Sequence, residues 1–305
     1  MSAPALIGFD VAAFVAATLA EDLGSGGDVT SAAVIPADAT LTAVMASRDT
    51  IVVAGLDLAA AFFRARDPAV IIDAFAADGE RAASGATLLR ITGNARALLA
   101  AERSALNTVQ HLSGIATLTR AFVDAVAGTG AVVLDTRKTL PGLRALEKYA
   151  VTCGGGTNHR LRLDDGVLIK DNHVAVAGGV AAAVAAAVAA GHGVARGDLA
   201  IVVEVDRIDQ IAPALAAGAD RLLLDNMNVA TLREAVALVT GRVPTEASGG
   251  IRLDTVRAIA ETGVTFISVG RLTQSAPAAD IGLDYARAPE RGEARFDSRY
   301  IFAAT

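Results

Sequence analysis

The chain has little cysteine, lysine or aromatic side chain. Its 305 residues include one cysteine, Cys153, three tyrosines and no tryptophan. A single cysteine excludes an internal disulfide framework and a cysteine-rich zinc site. Hydrophobic residues make up 53% of the chain and charged residues only 20%, which excludes a mainly disordered protein. The length is enough for a large core in one or two domains.

Positive charge is also scarce. The formal net charge is −6, and the basic residues do not form a run, so nucleic acid is not expected as the main partner. Only three of the 27 basic residues are lysines, namely Lys138, Lys148 and Lys170. Since the chain uses arginine elsewhere, a retained lysine indicates a need for a compact, flexible ammonium group. For Lys148, chance placement is an equal alternative.

No targeting signal is visible at the start of the chain. The first basic residue is Arg48, whereas a secretory signal begins with positive charge and a transit peptide is rich in arginine. The uncharged stretch 174–195 is rich in alanine and punctuated by glycine, and its valines recur every four residues. This pattern favours a helix packed on a sheet over a membrane span. We expect a soluble, cytoplasmic protein that does not contact a membrane.

The two parts of the chain differ in their patterns. Residues 10–23 read as a helix that Asp10 caps and Gly24 ends. Short β-rich runs at 41–54, 69–77 and 87–92 surround a helix-like stretch at 55–66, which predicts a small α+β domain. A further helical stretch is predicted from Asn94 toward Ser113 and Gly114.

After residue 130, strands and helices are predicted to alternate. Six apolar runs, each followed by polar or glycine residues, lie at 131–134, 167–169, 201–203, 221–224, 243–247 and 266–269. The intervals from Glu204 to Asp225, to Ser248 and to Gly270 are 21, 23 and 22 residues, about the length of one strand–helix unit. Such units form a parallel sheet with helices outside, and in an α/β barrel the site lies at the carboxyl ends of the strands.

The charged residues at these ends indicate an anionic ligand. A pocket of cations suits a small polyanion that carries carboxylates, phosphates or both. The candidate cations are Arg103, Arg137, Lys138, Arg160 and Lys170. The acids Glu204 and Asp225 are expected to hold Mg²⁺, accept sugar hydroxyls or face a developing positive charge; a structural salt bridge is the alternative.

Glycine-rich segments and histidines complete the candidates. The segment 248–250 can cradle phosphate ahead of a helix, and Gly270 fits a second wall of the same site. The three glycines at 154–156 read as an anion nest or, preferably, as a flexible lead into the polar loop of His159. His173 is an orienting group or has no special role, and His111 and His192 look structural or exposed. No zinc-ligand spacing, serine-nucleophile motif or reactive thiol is recognisable.

Long stretches resemble one family, quinolinate phosphoribosyltransferase, also called carboxylating nicotinate-nucleotide pyrophosphorylase. They are EDLGSGGDVTS at 21–31, ERSALNTVQHLSGIAT at 102–117, DTRKTLPGLRALEKYAVTCGGGTNHR at 135–160, LIKDNHV at 168–174, LLLDNM at 222–227 and EASGGI at 246–251. The resemblance implies an N-terminal α/β sandwich, residues 1–112, and an incomplete TIM-like α/β barrel, residues 113–283. The tail 284–305 is expected to pack back on the sandwich.

The resemblance also implies a reaction. Phosphoribosyl pyrophosphate loses pyrophosphate at C1, the pyridine nitrogen of quinolinate attacks C1, and the 2-carboxylate leaves as CO₂. The product, nicotinate mononucleotide, leads to NAD. By resemblance the enzyme uses Mg²⁺ and is a homodimer, or a larger assembly built from it.

The same resemblance assigns residues. Arg137, His159 and Arg160 bind the quinolinate carboxylates, and Arg103 arrives from the partner subunit. The other assignments are Lys138 and Lys170 against the anionic substrates, Glu204 and Asp225 at the ribose and Mg²⁺, and Thr136, Ser248, Gly249, Gly250 and Gly270 among the substrate-binding residues.

The sequence departs from the family pattern at a few positions. Val202, Arg162 and Gln274 stand where the family has Glu, Gly and His, and Gly26-Gly27 carries an extra glycine. Two alternatives remain: a molybdenum-transport-associated paralogue of the same fold, and a non-catalytic binding protein on a barrel. The intact LIKDNH stretch argues against the first, and the retained set of charged residues argues against the second.

Overall fold

The structure, a computed structural model, describes residue 6 and residues 8–286. Its helices are α1 (Val11–Leu23), α2 (Val29–Val34), α3 (Leu56–Arg66), α4 (Ala95–Ala125), α5 (Arg144–Cys153), α6 (Asp171–Ala177), α7 (Val180–Ala189), α8 (Ile211–Ala217), α9 (Val229–Val239), α10 (Val256–Ala260) and α11 (Arg271–Gln274). Its strands are β1 (Thr40–Ser47), β2 (Ile51–Val52), β3 (Ile71–Ala74), β4 (Arg81–Ala82), β5 (Thr87–Asn94), β6 (Val132–Leu134), β7 (Val167–Ile169), β8 (Ile201–Val205), β9 (Arg221–Asp225), β10 (Thr245–Ser248), β11 (Phe266–Ser268) and β12 (Ile281–Ala286). Two 3-10 turns lie at Val194–Arg196 and Ile208–Gln210.

A four-stranded antiparallel sheet organises the N-terminal part. Its order is β12-β1-β5-β3, and helices α1, α3 and α4 pack together beside it. Along β5, Leu89 and Ile91 are buried while Arg90 between them is exposed, the alternation expected of a strand with one face on a core. Helix α1 begins as predicted, because the Asp10 carboxylate accepts a hydrogen bond from the Ala13 amide at 2.9 Å.

Helix α4 joins the two parts of the molecule. It was predicted to run toward Ser113 and Gly114, but it continues unbroken to Ala125, so its 31 residues span about 46 Å. Leu98 belongs to the core of the small domain, and Ile115 belongs to the core around the parallel sheet. A Cβ atom on Gly114 would lie 2.1 Å from the Pro277 carbonyl oxygen, so this glycine lets the returning chain cross the helix closely.

The six predicted apolar runs form one parallel sheet. Its order is β6-β11-β10-β9-β8-β7, and β6 and β7 are its two edge strands within the described residues. The predicted incomplete barrel is therefore confirmed. Inward side chains such as Val203, Leu222 and Ile267 are fully buried, which is the near-continuous apolar pattern of a sheet covered on both faces.

The last described strand returns to the small domain. Strand β12 pairs antiparallel with β1, with Leu283 opposite Met45. Ile281 and Leu283 are buried in the small-domain core, so the chain already returns to that domain just before the expected barrel end at 283. The rest of the expected tail, 287–305, lies outside the described residues.

The apolar stretch 174–195 is not a single helix. Helices α6 and α7 meet at 86°, where Gly178 and Gly179 have φ of +85° and +128°. Within the described residues, no single helix is long and apolar enough to cross a membrane. Helices α6 and α7 reach such a length and composition only when they are taken together as a bent pair.

Candidate active site

The carboxyl ends of the parallel strands bring most of the predicted site residues to one edge of the sheet. Asp225 and Ser248 are the last residues of β9 and β10 and pair in register, and Glu204 is the last residue but one of β8. The carboxyl ends of parallel strands lie at one edge of the sheet, so residues that are far apart in the sequence come together there and form a site.

Two partly buried arginines lie at this edge. The Nε atoms of Arg137 and Arg160 are both buried and have no hydrogen-bond partner in the described part of the chain. Arg160 donates through Nη1 to the Gly166 carbonyl oxygen at 3.0 Å. Burial and the nearby charge of Arg137 lower the pKa of Arg160. Two guanidinium groups that repel each other are stabilised by an anion with two acidic groups.

A lysine and two acids lie beside the next two strands. The Lys170 ammonium is 3.9 Å from a carboxylate oxygen of Glu204 and is about half exposed, whereas the Glu204 side chain is 15% exposed. Burial, followed by the charge of Asp225, raises the pKa of Glu204. Since the charge of Asp225 acts on Glu204, the two carboxylates share one region of the site.

The glycine segment after β10 lies against the loop after β9. Gly249 has φ of +91°, and a Cβ atom there would meet the side-chain oxygen of Asn226 at 2.2 Å. Asn226 itself has φ of +56°, and its side-chain amide donates to Asp225 at 2.5 Å. Sequence reasoning left out Asn226, although its place directly after Asp225 at a strand end was a usable signal.

Lys138 approaches the site from the loop after β6. A Cβ atom on Gly270 would lie 3.0 Å from the Lys138 side chain and 3.7 Å from the Thr136 hydroxyl. The Thr136 hydroxyl accepts from the Lys138 amide, and Thr273 donates to the Lys138 carbonyl oxygen at 2.7 Å. The absence of a side chain at Gly270 therefore makes room for the lysine.

A buried ion pair supports the loop of His159, and sequence reasoning missed it. Lys148 is 1% exposed, and its ammonium donates to Asp135, 0% exposed, at 2.5 Å. The same Asp135 oxygen accepts from the His159 amide at 2.8 Å, and Lys148 also donates to the His159 carbonyl oxygen. Burial raises the pKa of Asp135 to about 6 against the opposing charge of Lys148, and burial lowers the pKa of Lys148. The placement of Lys148 is therefore not due to chance, and the rarity of lysine in the chain was the signal that could have identified it.

A second buried acid faces the His159 ring. Glu246 on β10 is 0% exposed and lies 3.5 Å from the ring Nε2. It also accepts from Ser268 and, at 3.3 Å, from Arg221. Burial opposes ionisation, but hydrogen bonding and the charge of His159 outweigh it and lower the pKa of Glu246.

Arg103 is the one predicted cation that this edge does not include. It is exposed on α4 and lines a separate cavity of about 350 Å³ between α1, α4 and α5, together with Glu21, Asp22 and His111. No predicted strand-end residue lines that cavity.

The remaining histidines have structural partners. His111 pairs with the buried Glu147 at 2.9 Å and His192 with Asp198 at 2.8 Å. His173 accepts from the Lys170 amide at 2.9 Å, so it orients the backbone at that lysine.

The glycines at 154–156 do not form a flexible lead. A Cβ atom on Gly154 would lie 2.5 Å from Thr119, and one on Gly156 would lie 2.8 Å from the same side chain. They allow the chain to pack closely on α4, and the expected flexible lead is wrong for that reason.

No group of three or more histidine, cysteine or acidic residues suited to a metal occurs in the described part of the chain. The acids Glu204 and Asp225 form a smaller donor set. Mg²⁺ in phosphate-handling sites uses one or two carboxylates together with substrate phosphates, and this donor set fits that pattern.

Comparison with known proteins places this arrangement in one family. The model described as quinolinate phosphoribosyl transferase, N-terminal domain, matches residues 28–113, and the C-terminal domain model matches residues 115–284. The carboxylating nicotinate-nucleotide pyrophosphorylase of Mycobacterium leprae is 46% identical over 274 residues, 87% of this chain and 94% of that protein. The chloroplastic protein of the same name from rice is 41% identical over 297 residues, 92% of this chain and 79% of that protein.

Solved structures agree. The nicotinate-nucleotide pyrophosphorylase of Francisella tularensis superposes with a TM-score of 0.86 at 37% identity, covering 93% of this chain and 99% of that one. The protein of the same name from Ehrlichia chaffeensis gives a TM-score of 0.84 at 37% identity, with 92% and 100% coverage.

Proposed function

This chain belongs to the quinolinate phosphoribosyl transferase family, and from that premise we propose its reaction. It transfers the phosphoribosyl group of phosphoribosyl pyrophosphate to quinolinate and releases pyrophosphate and CO₂. The product is nicotinate mononucleotide, an intermediate of NAD biosynthesis. The observation that carries this proposal is the pair of buried, unpartnered guanidinium nitrogens of Arg137 and Arg160. Lys138, near Gly270, and Lys170, near Glu204, add positive charge at the same strand ends.

Quinolinate binding follows from this pair of arginines. A guanidinium fork matches a carboxylate with two parallel hydrogen bonds, so Arg137 and Arg160 suit a ring that carries two neighbouring carboxylates. Binding the dianion also removes the repulsion between the two cations. A ring with one carboxylate leaves one buried cation unpaired, which is costly and gives discrimination against nicotinate.

Phosphoribosyl transfer requires stabilisation of positive charge on the sugar. The C1–O bond breaks and its electron pair leaves with pyrophosphate, which gives C1 oxocarbenium character. Glu204 and Asp225 are suited to accept the ribose hydroxyls and to face that charge. The segment 248–250 and Gly270, with Thr136 and Lys138 beside it, supply phosphate contacts.

Carbon–nitrogen bond formation precedes loss of CO₂ in this scheme. The pyridine nitrogen lone pair forms the bond to C1, and the ring nitrogen becomes positive. The C2–carboxylate bond then breaks, its electron pair stays on C2 next to that positive nitrogen, and C2 takes up a proton. Lys138 and Lys170 hold the anionic groups in place during both steps.

Mg²⁺ is part of the proposal. Glu204 and Asp225 would hold it together with substrate oxygens, and the ion would supply neutralisation of the pyrophosphate charge. We also propose a cytoplasmic homodimer in which Arg103, which lines a cavity that none of its own strand-end residues line, completes the neighbour's site. Nucleic acid and membranes are not partners in this scheme.

The test is a direct assay. Purified protein is incubated with quinolinate, phosphoribosyl pyrophosphate and Mg²⁺, and nicotinate mononucleotide and CO₂ are measured. Formation of both in equal amounts supports the proposal, and comparable turnover of nicotinate contradicts it. Thermal shift with quinolinate, nicotinate and phthalate in turn tests the scaffold alternative, because a scaffold responds to none of them.

A further inference from the structure

Asn226 has an uncommon backbone conformation at the edge that carries the candidate site. Its φ of +56° lies in the left-handed region, where residues other than glycine are rare. Thr240 is the only other such non-glycine residue in the described part of the chain. Asn226 is exposed, so no packing in a core requires this conformation. Residues held in such regions cluster at active sites, and Asn226 directly follows Asp225 at the end of β9.

Asn226 contacts two neighbouring strand ends that are proposed to bind phosphoribosyl pyrophosphate. Its side-chain amide donates to the Asp225 Oδ2 at 2.5 Å, and its backbone amide donates to the Ser248 carbonyl oxygen at 2.9 Å. A Cβ atom on Gly249 would lie 2.2 Å from the Asn226 Oδ1 and 2.8 Å from its backbone nitrogen. Asn226 therefore occupies the space that the absence of a side chain at Gly249 leaves.

An amide donor at this place has a specific effect on Asp225. Because the Asn226 amide is neutral, it fixes the carboxylate without cancelling its charge. The hydrogen bond goes to Oδ2, which leaves Oδ1 for a ribose hydroxyl of the substrate. A reacting group performs its task only if its neighbours hold it in one orientation, and a hydrogen bond from the next residue supplies such support.

We propose that Asn226 is a positioning residue that holds the Asp225 carboxylate and the segment 248–250 in a fixed relation, so that one molecule of phosphoribosyl pyrophosphate meets both. It acts through Asp225 and the glycine segment, and it does not contact quinolinate. The inference rests on the proposed function, since it concerns the ribose and phosphate contacts of that same site.

Two substitutions separate this role from a purely conformational one. Asn226→Gly adopts the left-handed conformation without strain but has no side-chain amide. Asn226→Asp keeps the shape and tolerates the same conformation, but it places a second acceptor against the Asp225 carboxylate. We expect both to lower kcat/KM for phosphoribosyl pyrophosphate by about 10- to 100-fold, the scale of losing a hydrogen bond to a charged group, with Asn226→Asp the more severe. Activity of Asn226→Gly within about twofold of the unmodified protein overturns the inference.

The two Michaelis constants distinguish positioning from loss of folded protein. The KM for phosphoribosyl pyrophosphate is expected to rise about fivefold or more in both variants, while the KM for quinolinate changes less than about twofold. A fall in kcat with both KM values unchanged, as loss of folded protein produces, contradicts the inference.

Thr240→Gly is the matched control. Thr240 is exposed, has φ of +52° and follows α9 ahead of β10, away from the carboxyl ends of the strands. Replacing it by glycine makes the same change of backbone freedom and should alter kcat/KM less than about twofold. An effect as large as that of Asn226→Gly would mean that left-handed residues matter for the fold in general, and the inference would be wrong.

Asp225→Ala supplies the last test, because it removes the carboxylate that Asn226 holds. If Asn226 acts through Asp225, the combined loss of kcat/KM in Asp225→Ala with Asn226→Gly is smaller than the product of the two single losses. A combined loss equal to that product shows that the two residues act independently and overturns the inference. If the unmodified protein forms no nicotinate mononucleotide, the proposed function fails; if it does and these patterns are absent, only this inference fails.

Discussion

Replacing Lys148 by methionine tests the energetics of the buried ion pair. Methionine fills a similar volume but leaves Asp135, which is 0% exposed, without its ammonium partner at 2.5 Å. Removing one member of a buried pair costs about 3–5 kcal/mol, because an uncompensated charge remains. We therefore expect Lys148→Met to lower the free energy of unfolding by about that amount near pH 8.

The cost is expected to depend on pH. Burial already raises the pKa of Asp135 to about 6 while Lys148 opposes that rise, so the variant has a still higher pKa at Asp135. An acid whose folded-state pKa is raised above its unfolded value contributes stability that is present at low pH and lost as the pH rises through the folded pKa. The deficit of Lys148→Met should accordingly shrink as the pH falls from about 8 to about 5, by up to about 1.4 kcal/mol per unit of additional pKa shift.

Urea denaturation followed by circular dichroism measures this effect. The double variant Asp135→Asn with Lys148→Met removes both charges and should recover most of the lost stability. Arg233→Met removes one exposed cation from α9 and should stay within about 0.5 kcal/mol of the unmodified protein. A cost for Lys148→Met below about 1 kcal/mol near pH 8, or one that does not shrink at low pH, would refute the reasoning.

Three further predictions concern the proposed reaction. Arg137→Lys keeps the charge but loses the fork, so steady-state kinetics should show kcat/KM lower by about 100- to 1000-fold; near-normal activity would mean that Arg137 does not contact the substrate. Asp225→Asn keeps the shape of the side chain and removes its charge, so it should lower kcat by a larger factor than it weakens quinolinate binding, with both measured over a range of Mg²⁺ concentrations; equal effects on the two would contradict its role. Mixing inactive Arg103→Ala and Lys170→Ala chains under conditions of subunit exchange should restore about a quarter of the activity, because half of the dimers are mixed and one of their two sites is intact. No recovery despite demonstrated exchange would place Arg103 in its own chain's site.

Local patterns were enough for several parts of the fold. The cap of α1 at Asp10 and its end at Gly24 are short-range hydrogen-bonding signals, and both are present in the structure. The six barrel strands were predicted from apolar runs at regular spacing, because each strand–helix unit has a similar length. The C-terminal end of α4 was not predictable from such patterns: the helix passes Gly114 without breaking, since close contact with Pro277, and not a turn, requires that glycine.

For the candidate site, too, one part was predictable from the sequence and another part only from the tertiary structure. The sequence alone showed which charged residues follow the apolar runs. Because the carboxyl ends of parallel strands lie at one edge of the sheet, it also predicted that these residues lie together. Only the tertiary structure decided what surrounds His159. Its contacts reach 11 and 24 residues back along the chain, to Lys148 and Asp135, and across the sheet to Glu246. Such contacts follow no helical or strand period. The folded chain alone brings these buried charges together around His159.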